Sequence, residues 1–103
     1  MESINKLDWI YAVVQAPGEN EAFLGQYDED DDISFIPVFG KKEDAQNCLP
    51  LMTREKAVTY EIQAVYREEL LKEAAQGGFF VYALDGAGTI LEKIDARHDG
   101  VSE

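Results

Sequence analysis

The chain has one cysteine and one histidine in 103 residues, and only nine Lys and Arg against twenty-one Asp and Glu. Cys48 alone cannot close an internal disulfide, so no covalent framework supports the fold. Cys48 and His98 together cannot supply the four ligands of a structural zinc site. Nor do they suggest a nucleophile and its base, because Cys48 falls on an apolar helical stripe and His98 in a polar C-terminal tail. A cysteine on such a stripe behaves as a small buried hydrophobe. The shortage of positive charge leaves a formal −12. Proteins that hold phosphate backbones usually cluster Lys and Arg, so nucleic acid is not an expected partner.

Long apolar runs are also missing. No stretch approaches the ~18 residues needed to span a bilayer, so no membrane role is expected. The opening MESINKLDWIYAVV lacks a basic segment followed by an apolar core and a cleavage site. The expected setting is soluble and cytoplasmic. Glycine-rich phosphate loops are absent too. DGAG (Asp85–Gly88) precedes a strand-like TILEKI and reads as a hairpin turn, not a dinucleotide fingerprint. FGKK (Phe39–Lys42) sets two lysines at a helix start, where an anion could bind, but their first role is to answer nearby acids. No cofactor and no catalytic residue is expected.

What is present fits one ordinary globular domain: 46% hydrophobic, 11% aromatic and 29% charged residues. A chain of this length makes a single domain with one modest core. Residues 1–8 form a lead-in, 9–95 the body, and 96–103 a flexible polar tail. WIYAVVQ (Trp9–Gln15) and FFVYALD (Phe79–Asp85) are apolar on both alternating faces, as strands covered on both sides are. AFLGQY (Ala22–Tyr27) returns after a turn at APGEN, and ISFIPVF (Ile33–Phe39) follows. Pro37 places that third strand at an edge or a bulge. Ala45, Cys48, Leu49 and Met52 form a helical stripe that Pro50 ends or kinks near Cys48. VTYEIQAV (Val58–Val65) alternates as a half-buried strand. REELLKEAAQGG (Arg67–Gly78) carries acids in its first turn and glycines at its stop. The fold class is α+β: a single mixed or antiparallel sheet of about five to six strands with two short helices, in the order ββ-β-α-β-α-ββ.

Five consecutive acids, Asp28–Asp32, precede the third strand. An EF-hand loop starting at Asp28 would need glycine at its sixth position and glutamate at its twelfth. Ile33 and Phe39 stand there. A looser cation site from Asp28, Asp30 and Asp32 is the alternative to a water-facing hairpin tip, the favoured reading.

The residues Ile36-Pro37-Val38-Phe39 lead into a helix opening at Glu43-Asp44-Ala45. This segment resembles a recurring piece of small bacterial α+β domains, among them the enhanced-serine-sensitivity (SseB-type) N-terminal domains. The resemblance covers Ile33–Met52 only. It implies a fold, and the matched residues are structural in character.

Aromatic residues gather in the strands. Two short helices are expected to cover one side of the sheet and leave the other for a partner, with Trp9, Tyr11, Phe80 and Tyr82 as the candidate face. The expected function is a small, non-enzymatic binding or regulatory domain acting through protein–protein contact, including self-association. The alternative is a domain that uses the acidic loop for a divalent cation or a cationic small molecule. An enzyme relying on Asp and Glu alone ranks third.

Overall fold

The computed structural model describes residues 3–96. Seven strands and two helices follow in the expected order: β1 (Trp9–Gln15), β2 (Ala22–Phe23), β3 (Gln26–Asp28), β4 (Ile33–Phe39), α1 (Lys42–Cys48), β5 (Tyr60–Tyr66), α2 (Arg67–Gly77), β6 (Phe80–Leu84) and β7 (Ile90–Ile94). Together they make an α+β fold with one open mixed sheet.

The added strand comes from a break in the expected Ala22–Tyr27 segment. β1 and β4 pair only at Tyr11↔Phe39 and Ala12↔Val38. Beyond those pairs β2 lies along β1, at Val14↔Phe23 and Gln15↔Ala22, while β3 lies along β4 from Gln26↔Phe35 to Asp28↔Ile33. The segment thus crosses from one strand to the other at Leu24–Gly25. Glycine suits that crossing, since a Cβ on Gly25 would sit 3.0 Å from the Phe79 ring and force it to shift by a few tenths of an ångström. The same handover explains Pro37, which lies inside the sheet and not on an outer edge. No pair involves Pro37 on the β1 and β3 side, where one neighbour has stopped and the next has barely begun. A residue without an N–H fits such a gap.

β1 runs antiparallel to both β4 and β5, and β6 is parallel to β4, so β4, β5 and β6 share one direction. α1 carries the chain from β4 across to β5, and α2 carries it back from β5 to β6. Crossovers travelling in opposite directions, each with the usual right hand, fall on opposite faces of a sheet. Accordingly Ala45 and Cys48 of α1 pack with Phe39, Tyr82 and Leu84 on one face. Leu70, Leu71 and Ala74 of α2 pack with Ile10, Ala12, Ile36, Val38 and Val81 on the other. This corrects the expectation that the helices leave one face bare. The greasy-on-both-sides pattern of β1 and β6 is answered by one helix per face.

Local signals behave as read. α1 ends at Cys48, and Leu49–Leu51 continue as a 3-10 turn with Pro50 inside it. Gly78 takes the left-handed conformation (φ 78°) that closes α2, and the N–H of Phe79 reaches back to the Ala74 carbonyl. Packing extends past the expected body at both ends. Ile4 is buried in the α2-side core, and Ala96 is buried as well. The rest of the expected tail, His98 included, lies outside the described residues. No helix among the described residues is long and apolar enough to cross a membrane.

Candidate functional site

The acidic run closes the β3–β4 hairpin, with Glu29–Asp32 as its exposed loop. Asp32 adopts φ 55°, a conformation that short polar side chains tolerate. Asp28 is the exception to a solvated reading, because its side chain is only 10% exposed. Its Oδ1 accepts the backbone N–H groups of Asp30 at 3.1 Å and Asp31 at 3.4 Å. Its Oδ2 accepts the Tyr82 hydroxyl at 2.8 Å. Lys93 of β7 reaches over from the far strand, 2.5 Å from Asp31 Oδ2 and 3.7 Å from Asp28 Oδ2. The Tyr27 hydroxyl donates to Asp32. The expectation of five water-facing acids is therefore corrected at Asp28, whose carboxylate points inward to tie the hairpin to the core.

This arrangement suits anchoring more than acid–base chemistry. The Tyr82 hydroxyl, then the Asp31 and Asp30 amides and Lys93, hold the Asp28 carboxyl below the usual carboxylate range against the opposing effect of burial. Burial, with the Asp28 carboxylate beside it, pushes the Tyr82 phenol up to about 12. Asp31 raises the Lys93 ammonium. Each group keeps its ordinary ionic form through neutral pH. Asp28, Asp30 and Asp32 do not converge, and among the described residues no group of three His, Cys, Asp or Glu is placed to hold a metal ion. Burial, and then Asp85, raise the Cys48 thiol, as befits a core residue.

The four aromatic candidates separate. Trp9, Tyr11, Phe80 and Tyr82 alternate onto the α1 side of the sheet, yet Tyr82 is fully buried and stacks on Phe35 at 4.1 Å. Tyr82 is thereby removed from any contact face. Tyr11 and Phe80 are half-buried against the α1-side core. Trp9 alone is open, at 60% exposure, and its ring meets the edge of Tyr66 at 5.5 Å. Tyr66, itself 37% exposed, lies beside Trp9 and was not among the expected residues. The Trp9↔Tyr66 cross-strand register is what joins them, and that register has no local signal in the sequence.

Beside this corner runs an open backbone edge. β5 pairs with β1 along its whole seven-residue length. The Ala16 N–H donates to the Thr59 carbonyl, and the Arg67 N–H to the Asp8 carbonyl, at the two ends of that ladder. Bonded pairs alternate along antiparallel strands, so Glu61, Gln63 and Val65 also turn their backbone groups toward β1. Tyr60, Ile62 and Ala64 turn theirs outward, as Tyr66 does its N–H, and no strand of the described residues pairs with them; the Tyr66 carbonyl enters the first turn of α2.

A half-open cleft of about 610 Å³ lies at the carboxyl ends of the parallel strands β4 and β6, between Leu7, Lys41, Asp44, Leu84, Asp85 and Glu92. Two of its three carboxylates already serve the fold. Glu92 accepts the Ser3 hydroxyl and the Ile4 N–H, and Asp85 accepts the Ala87 and Thr89 N–H groups. Lys41 is outnumbered there by acids, which disfavours an anion. Comparison with known proteins finds no matching family, curated protein or solved structure.

Proposed function

We propose that the chain is a small, non-enzymatic binding domain that works through protein–protein contact where Trp9 and Tyr66 meet the open edge of β5. The observation that carries this reading is the exposure of the Trp9 indole beside a second half-open aromatic ring, in a chain that buries or half-buries most of its other aromatics. Large, rigid aromatic rings held at a rim are the usual anchors of protein contacts. A surface of −12 favours a protein partner over nucleic acid. The cytoplasm is the setting this reading assumes. The acidic loop is the weaker candidate for ligand binding, since Asp28, Asp31 and Asp32 all have partners within the molecule.

A photocrosslinking residue, benzoylphenylalanine, in place of Trp9 tests this in the native cell extract. The same residue in place of Glu73, exposed on α2, serves as the control. Higher-mass adducts are expected from position 9 and not from position 73. Equal labelling from both positions, or none from position 9, would overturn the contact reading.

A further inference from the structure

We propose that the partner at this corner is a second copy of the chain, joined edge to edge through β5 into one continuous sheet. The inference rests on the contact reading above and adds the identity of the partner.

The two outer edges of the sheet differ in kind. β7 carries Lys93, and its pairing with β6 shifts register between Ala83 and Leu84. Charge and irregularity of that sort blunt an edge. β5, with the sequence YEIQAVY, has no proline, no lysine and an unbroken register with β1. Its outward groups on Tyr60, Ile62 and Ala64, with the Tyr66 N–H, form a row ready for another strand.

That row is also self-complementary. A two-fold interface requires a surface patch to match its own copy. Laying β5 antiparallel on itself with Gln63 at the axis pairs Ile62 with Ala64 through both their outward groups and the Tyr66 N–H with the Tyr60 carbonyl, while the Tyr66 carbonyl stays in the first turn of α2. In this register Tyr60 meets Tyr66 of the other copy, Ile62 meets Ala64, and Gln63 meets Gln63. Glu61 meets Val65, so the only charged residues of the strand are not opposed. The two Glu61 side chains then stand ~14 Å apart along the strands, four residues at ~3.4 Å each. The α1-side face gains an aromatic row, with the Tyr60 ring of one copy continuing the Trp9–Tyr66 pair of the other. Two chains of −12 repel at long range, and salt screens that repulsion. Association should therefore strengthen as salt is raised.

Sedimentation equilibrium up to ~100 µM, a range suited to small interfaces, is expected to give a dimer that tightens with salt. Ala64→Pro removes an outward N–H while leaving the β1 ladder intact, and is expected to weaken association at least tenfold. Gln63→Cys places two thiols across the axis. Facing residues of this kind have Cα atoms ~4.5 Å apart, within disulfide range. Mild oxidation should give a species of twice the 11.5 kDa chain mass. Glu61→Cys should not crosslink, and Cys48 is buried and adds no background.

A chain that stays monomeric and uncrosslinked at Gln63→Cys overturns the proposal. So does a dimer indifferent to Ala64→Pro, or one that crosslinks equally through Glu61→Cys. If the chain is monomeric while the position-9 crosslinker still captures another protein, the second-copy inference fails and the contact reading stands. Silence in both experiments removes both.

Discussion

Phe39→Ala is expected to destabilise the domain by about 3–5 kcal/mol, and Leu70→Ala by about 2–5 kcal/mol, the usual costs of emptying buried sites of those sizes. Both side chains are fully buried, but in different cores. Phe39 lies under α1, and Leu70 projects from α2 onto the opposite face of the sheet. For a domain of ~100 residues, each kcal/mol lowers the melting temperature by ~4–8 °C. Either substitution alone should lower it by more than ~8 °C in a calorimetric or circular-dichroism melt. The sheet separates the two sites, so their effects should add. Total stabilities run to only ~5–15 kcal/mol, so the summed loss of about 5–10 kcal/mol removes a large share of that total. If one face of the sheet were open to water, the substitution on that face would be nearly silent.

The second large effect concerns pH. Asp28 is held below the ordinary carboxylate range in the folded protein, first by the Tyr82 hydroxyl. A depressed carboxyl contributes stability at pH values above its unfolded pKa of ~3.9 and loses that contribution as pH falls through the lower folded value. Tyr82 is the mirror case. Its phenol is raised to about 12, so its contribution is complete below the unfolded value near 10 and declines as pH rises toward 12. Urea midpoints measured across the pH range should therefore fall at both ends. Tyr82→Phe should remove the alkaline loss attributable to this phenol and shrink the acid one. Asp28→Asn should flatten the acid limb at this site. Unchanged pH profiles in both variants would mean that the hairpin is not anchored through this pair.

How much of this could be read from the residues depends on range. The strands, the helix stops at Gly78 and near Pro50, and the turn at Asp85–Gly88 are local matters of backbone geometry. All were legible. The two-sided apolar pattern of Trp9–Gln15 and Phe79–Asp85 correctly demanded cover on both faces, but the placement of the helices depends on strand order. Strand order is fixed by which edges meet across the whole chain, and no local pattern encodes it. The same limit hid the break at Gly25, which follows from the divergence of β1 and β4. It also hid the role of Asp28. Within the run Asp28–Asp32 all five acids look alike, and what distinguishes the first is a tyrosine 54 positions away. Trp9 belonged to the expected contact face and stands exposed. Tyr66 was not among the expected residues, because only the β1–β5 register brings it alongside Trp9. Tyr82 was misjudged as a contact residue since period-2 alternation assigns a side and says nothing about which part of that side a helix covers.

Amide hydrogen exchange along β5 tests the central claim most directly, namely that this strand is paired with β1 on one edge and bare on the other. In dilute protein the N–H groups of Glu61, Gln63 and Val65 should exchange slowly and those of Ile62, Ala64 and Tyr66 rapidly. Uniform protection of all these amides in the dilute monomer, or protection of none, would contradict the account.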